Sequence, residues 1–216
     1  MIKAIIFDFD GVILESASIK TDAFAEMVEA YPVEIGKKFV EFHLTHMGIS
    51  RKVKFQYLIE ELLGEPCTED KLDTLGQKFS EIVHSGILAA PFVPGAREFL
   101  ESSYKKLFFY IASGTPQEEM REIVAERGIE KYFTAVYGSP AKKEEIVERI
   151  MQAQGYEKEE VLFVGDADTD LFAARASGIP FVGRSTPENV EAFREVKDKI
   201  DDLRQLETIC ARYETR

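Results

Sequence analysis

The chain has 216 residues, a formal net charge of -12 and an ordinary mix of apolar and charged residues. That length allows one or two domains with a real core, and the acidic balance argues against a nucleic-acid partner, whose phosphates need basic surface. No apolar run approaches the ~18 residues a membrane span requires, and Cys67 and Cys210 lie too far apart to suggest a zinc site or a disulfide framework. The expectation is therefore a protein without membrane or nucleic-acid partners, in a reducing cytoplasm. Asp8 arrives before the core of a signal peptide could form.

In chain order, Ile5, Ile6 and Phe7 form a short apolar run of the kind a buried strand carries. Asp8-Phe9-Asp10-Gly11-Val12 follows it. Two carboxylates two residues apart point to one side of an extended chain. Held that close they repel, unless a cation or a shared proton offsets them, and Mg²⁺ is a hard ion that takes oxygen ligands. A solvated strand end with a turn at Gly11 is the plain alternative.

About 100 residues then pass before Ser113, at the end of the next strand-like segment, whereas a whole βαβ unit needs only about 30. The extra block of about 70 residues is helical in pattern throughout. Ile19, Ala23, Met27 and Val28 line a first helix; Ile35, Phe39 and Phe42 a second; Phe55, Leu58, Ile59 and Leu62 a third. Thr68, Glu69 and Asp70 start a fourth, which carries Leu72, Leu75, Phe79, Ile82 and Val83. Four amphipathic helices can enclose a core of their own, so residues 16–90 are expected to form a helical cap domain, with 91–95 as the return hinge. Residues 1–15 and 91–216 are expected to form an α/β core. Ligands of open α/β sheets bind beyond the carboxyl ends of the strands. An insertion leaving from that edge can cover Asp8 and Asp10 as a lid.

Strands are expected over 107–112, 135–137, 161–164 and 180–182, with helices between them. Thr115 reads as an N-cap with Pro116 at the first helical position. Met120, Ile123 and Val124, then Ile146, Val147, Ile150 and Met151, then residues 171–176 give successive apolar stripes. Ser185-Thr186-Pro187 reads as the start of a further helix, and Leu203, Leu206 and Ile209 mark a last one. The alternation predicts a mostly parallel sheet covered on both faces.

Three strand ends besides the first carry polar residues. Ser113-Gly114-Thr115 is either a plain N-cap or an anion site built from a hydroxyl and backbone N–H groups. Lys142-Lys143 opposes the helix dipole at a helix start, and is either a solvated pair or a cation reaching for carboxylates or phosphate. Gly165-Asp166-Ala167-Asp168-Thr169-Asp170 carries more acid than a cap needs. Asp166 is a metal-ligand candidate, and Asp170 can face the same way. Phosphoryl transfer asks for such a set: a carboxylate nucleophile, a second acid, fixed donors, and cations to neutralise the transferred group.

In this order the four motifs resemble those of the haloacid-dehalogenase-like hydrolases, most closely the phosphoglycolate-phosphatase and β-phosphoglucomutase branch. The resemblance spans the expected core. It implies a Rossmann-like, parallel five-stranded α/β sheet with a helical cap inserted after the first motif. It further implies that Asp8 attacks phosphorus and that Asp10 first protonates the leaving oxygen and then activates water. Ser113 and the Gly114 amide would hold phosphoryl oxygens, and Lys143, preferred over Lys142, would neutralise charge. Mg²⁺ would be held by Asp8, the Asp10 backbone carbonyl and Asp166, with Asp170 in support. The implied partner is a small phosphorylated metabolite.

Dehalogenases of this superfamily usually lack the second aspartate of the first motif, so Asp10 favours a phosphatase. A phosphomutase is the nearer alternative, but those mutases usually carry a histidine where this chain has Lys20. A phosphonate hydrolase would need a cap lysine, for which Lys20, Lys52 or Lys54 could serve. A non-catalytic Mg²⁺- or phosphate-binding module is the remaining reading. In the cap, Arg51, with Lys54 beside it, is expected to contact an anionic part of the substrate, or else to mark a basic, solvated helix start. Glu15 and Ser16 at the hinge can face the site. His43 and His46 read as ordinary helix-surface residues, with a metal pair as the less favoured reading; His84 carries no functional signal.

Overall fold

The computed structural model describes residues 1–187 and 189–214. β1 (Ala4–Phe7) is followed by four consecutive helical segments: α1 (Ala17–Met27), α2 (Val33–Thr45), α3 (Arg51–Tyr57) and α4 (Glu69–Ala89). α3 runs on without a break into a π-helical turn, Leu58–Leu62. The remainder alternates: α5 (Ala96–Ser103), β2 (Phe108–Pro116), α6 (Gln117–Glu126), β3 (Ala135–Ser139), α7 (Lys143–Gln154), β4 (Val161–Gly165), α8 (Asp168–Ser177), β5 (Phe181–Arg184), β6 (Asp198–Ile200) and α9 (Leu206–Glu214).

The sheet is parallel throughout, in the order β3-β2-β1-β4-β5-β6. β1 is therefore central, and every residue of it is fully buried. Its alternate side chains enter two layers. Ala4 and Ile6 pack with Ile146, Val147 and Ile150 of α7 and Ala173 and Ala174 of α8. Ile5 and Phe7 face Phe99 and Leu100 of α5, Met120, Ile123 and Val124 of α6, and Leu206 and Ile209 of α9. That second layer is continuous with an aromatic cluster inside the first four helices, where Phe24 meets Phe39, Phe55 and Phe79 at centroid distances of 5.7, 5.8 and 4.3 Å.

The four helices leave and return at one place. Glu15 donates its N–H to the Pro91 carbonyl at 2.9 Å, and Val93 donates to the Ile13 carbonyl at 3.0 Å. The outgoing and incoming segments thus lie side by side, with Leu14 bridged antiparallel to Phe92.

Several expectations need correction. The sheet has six strands, not five. β6 reads Asp-Lys-Ile, which offers no apolar run, and only its pairing with β5 makes it a strand. The helix expected to open at Ser185-Thr186-Pro187 does not form among the described residues, which run through turns instead. There the Asn189 side chain accepts from the Thr186 N–H at 2.9 Å and donates to the Asp166 and Arg184 carbonyls. Such side-chain bonds to backbone compete with a helix. Thr115 is not an N-cap: β2 extends through Pro116, and α6 starts at Gln117. α5 was not foreseen. Its eight residues include Arg97, Glu98 and Glu101, so the buried face of Ala96, Phe99, Leu100 and Ser103 is hard to see in a polar stretch. Thr68 does cap α4, accepting from the Lys71 N–H at 3.3 Å.

Candidate active site

All strands run one way, so the carboxyl ends of β1, β2, β3 and β4 share one edge. β1 connects onward to one side and β4 lies on the other, which opens a crevice at that edge. Asp8 follows β1 directly. Its N–H is held by the Val164 carbonyl at 2.9 Å, which keeps it in line with the sheet. Phe9 turns inward to the core, and the chain bends at Gly11 with φ +77°. A Cβ at Gly11 would stand 2.0 Å from Asp166 Oδ2, so the turn needs glycine for space as well as for its dihedral.

Asp8, Asp166 and Asp170 form a buried cluster, with one carboxylate oxygen of each within 4.8 Å of the others. Lys143 stands among them, 2.5 Å from Asp170 Oδ1 and 3.2 Å from Asp8 Oδ1. Of the two candidate lysines, Lys143 is buried and Lys142 is exposed. Asp170 accepts a further bond from the Ala167 N–H at 3.0 Å, so it is the most firmly held of the three acids.

Burial raises the pKa of Asp8, with Lys143 opposing and Asp10 adding to the rise. Asp166 is pushed well up by burial and then by its neighbours Asp8 and Asp170. Asp170 rises to about 7, mainly through burial and against the pull of Lys143. Burial works against the Lys143 ammonium, yet Asp170 and Asp8 outweigh it and its pKa is raised. With all three carboxylates ionised, one ammonium against them leaves two negative charges, and burial together with this repulsion raises the pKa values of Asp166 and Asp170 unless a further cation offsets it. A hard divalent cation matches that deficit and the all-oxygen donor set.

Asp10 faces elsewhere. Its carboxylate accepts from Ser16 Oγ at 2.6 Å and is paired with Lys20, which also donates to Thr115 Oγ1 at 2.6 Å. The structure ties α1 through Lys20 to Asp10 and to the end of β2. Ser113 is buried, and its Oγ accepts from the Thr115 N–H at 3.1 Å. At Gly114 a Cβ would lie 2.7 Å from the Gly48 carbonyl oxygen, because the loop between α2 and α3 rests on this turn.

Above the cluster is a cavity whose lining includes Asp8, Asp10, Ser113, Gly114 and Asp166 from the sheet edge. Lys20, Phe24, His43, Arg51, Lys54 and Phe79 line it from the four helices. Arg51 is thus brought to the site, but its guanidinium is paired with Glu119 of α6, which also accepts from Ser80 Oγ at 2.7 Å. Glu15 lies outside this lining, in a two-pronged pair with Arg184, whose Nη1 also donates to the Gly11 carbonyl at 2.6 Å. His43 is buried and bonded to Thr21 and Lys54, while His46 is on the surface against Phe42. The two therefore form no metal pair, and His43 is not a helix-surface residue. Sequence reasoning missed Glu119 and Arg184, and it read His43 as a surface residue and Thr115 as an N-cap. Their partners lie on other elements, and no local spacing signals them.

A parallel Rossmann-like sheet with a carboxylate-rich edge defines the architectural class. The family model for haloacid dehalogenase-like hydrolases matches residues 5–184, and the chain belongs to that family. It is 27% identical over 183 residues to a phosphorylated carbohydrates phosphatase of Thermotoga maritima, covering 82% of each chain. It is also 27% identical over 192 residues to a phosphoglycolate phosphatase of Vibrio parahaemolyticus, covering 84% of this chain and 83% of the relative. The solved structure of a β-phosphoglucomutase from Clostridium difficile shares the fold with a TM-score of 0.76 at 21% identity, over 100% of this chain and 98% of that one. Among the described residues, no helix is long and apolar enough to cross a membrane.

Proposed function

We propose that this protein is a Mg²⁺-dependent phosphatase of the cytoplasm, hydrolysing a small phosphorylated metabolite through an aspartyl-phosphate on Asp8. The observation that carries the reading is the buried set of Asp8, Asp166 and Asp170 around Lys143, with Ser113 and Gly114 on the adjoining strand end. Phosphatase relatives over four-fifths of the chain support it. The helices α1–α4 act as the cap domain over the core, and the paired segments at Leu14 and Phe92 act as its hinge.

In this reading Asp8 and Asp166, with the Asp10 backbone carbonyl, would hold Mg²⁺, and Asp170 supports the site while fixing Lys143. Bound there, the ion would supply positive charge that lets an anionic nucleophile approach an anionic ester. The Asp8 carboxylate attacks phosphorus, and the ester bond to the leaving alcohol breaks as Asp10, which enters the cycle protonated, hands that oxygen its proton. Asp10 then takes a proton from water, which attacks the phosphoryl group and releases inorganic phosphate with Asp8 restored. Ser113 Oγ and the Gly114 N–H hold phosphoryl oxygens, and Lys143 neutralises their charge. Lys20 and Ser16 fix the Asp10 carboxylate for both proton transfers. Arg51 contacts the substrate from the cavity wall. Glu15 acts from the hinge, holding Arg184 and through it the turn at Gly11.

The phosphomutase alternative rests on the shared fold, but those mutases usually carry a histidine where this chain has Lys20. Of the lysines weighed for a phosphonate hydrolase, Lys52 is exposed and paired with Glu69, while Lys20 and Lys54 line the cavity. Phosphate release from p-nitrophenyl phosphate, with and without Mg²⁺, tests the reading. Mg²⁺-dependent turnover is expected; metal or phosphate binding without turnover would favour the non-catalytic module.

A further inference from the structure

Three cations line the cavity, and two of them are already matched: Lys20 by Asp10 and Arg51 by Glu119. The third, Lys54, is buried and has no carboxylate within ion-pair reach among the described residues. Its Nζ lies 2.7 Å from His43 Nδ1 and 5.1 Å from the centroid of the Phe24 ring. As an ammonium Lys54 can only donate to Nδ1; Nε2 then carries the proton and donates to Thr21 Oγ1 at 2.9 Å, and Thr21 in turn donates to the Ala17 carbonyl at 3.3 Å. The chain of three side chains holds the amine in place without neutralising it.

A buried ammonium without a counter-ion is costly, and such groups mark sites where a ligand completes the charge. His43 takes one of three Nζ donors, and the Phe24 ring takes none. Donors remain for an acceptor inside the cavity. A hydroxyl would leave the ammonium uncompensated; one carboxylate matches one ammonium. We infer that Lys54, held by His43 and Thr21, is the specificity residue for substrates whose far end carries a carboxylate, so that the preferred ester is a short phosphorylated hydroxy acid. Burial, with Lys20 and Lys143 adding like charge, lowers the Lys54 pKa to about 7, as expected of an amine that waits for an anion. The inference rests on the phosphatase reading and refines it.

The test compares two esters of nearly equal size, 2-phosphoglycolate and 2-hydroxyethyl phosphate, which differ in having a carboxylate or a hydroxymethyl at the far end. A charge-assisted hydrogen bond contributes ~1.5–3 kcal/mol, so the parent protein should favour phosphoglycolate by about tenfold or more in kcat/KM, chiefly through KM. In Lys54→Met and in Lys54→Gln that preference should fall to near unity, because both remove the charge and only one removes the donor. Were Lys54 merely structural, both esters would lose together and the ratio would stay. A parent protein that turns over both esters without preference overturns the inference and leaves the phosphatase reading intact, as does a ratio unmoved in both variants. Failure on both esters while p-nitrophenyl phosphate is still hydrolysed overturns the inference alone; failure on all three overturns the phosphatase reading, and the inference falls with it.

Discussion

The sheet edge and the helical side of the cavity are both buried and both out of charge balance, in opposite senses. At the edge, three carboxylates surround one lysine. On the helices, Lys54 has a neutral histidine where an acid would normally stand, and burial drops His43 to about 3, so it stays neutral. Burying unmatched charge weakens a fold, and neither imbalance has a structural purpose that a hydrophobic residue would not serve better. A divalent cation would restore the first and an anionic group the second. The ligand is thus outlined by what the protein leaves unmatched.

That comparison predicts opposite effects for removing a cation from each side. Lys143→Met should destabilise by about 3–5 kcal/mol, because buried acids lose their partner. Part of the loss should be recovered by Mg²⁺, whose binding to the folded state stabilises by ~2.7 kcal/mol at a hundredfold excess over Kd. Chemical denaturation with and without Mg²⁺ checks this; a neutral Lys143→Met would break the comparison.

Lys54→Met should do the reverse and stabilise, by about 2–4 kcal/mol near neutral pH, the ionisation penalty of Lys54 less the hydrogen bond that His43 loses. The folded pKa of about 7 lies below the ordinary 10.5, so between those values the unfolded chain binds more protons at this residue. The penalty from Lys54 is full below pH 7 and shrinks as pH rises towards 10.5. The stability gain of Lys54→Met over the parent should therefore be greatest below pH 7 and fade in alkali. Melts across that range read it directly; a gain that grows with pH would contradict the account.

Smaller effects sharpen the picture. Arg51→Ala breaks a partly buried pair that joins α3 to α6, and should cost about 1–2 kcal/mol in denaturant melts. It should shift the ranking of phosphoglycolate over hydroxyethyl phosphate less than Lys54→Met does. Lys52→Ala, at an exposed pair with Glu69, should leave both the rate and the melting temperature where they are.

The two sides also differ in how far the sequence reveals them. Asp8 and Asp166 each follow an apolar strand directly, Ser113 closes the apolar run of β2, and Lys143 and Asp170 sit at helix starts, so short-range patterns locate them. Their convergence follows from the parallel alternation of strand and helix. Lys54 and His43 lie eleven residues apart on two helices, and Arg51 meets Glu119 across sixty-eight. Nothing in local periodicity carries such pairings, so Arg51 stood out as a basic residue while its acid partner stayed hidden. For the same reason β6 was missed, since the polar Asp198 and Lys199 become strand only beside β5. The helix expected after Ser185 failed because a single side chain, Asn189, takes up the backbone groups of its surroundings.

The central claim is that Asp8 carries the phosphoryl group during turnover. Acid quench of the Mg²⁺-loaded protein during hydrolysis, followed by peptide mass spectrometry, reads it directly. The account predicts phosphate on the peptide containing Asp8, and its loss together with turnover in Asp8→Asn. Full turnover by Asp8→Asn, or phosphate trapped on another residue, would contradict it.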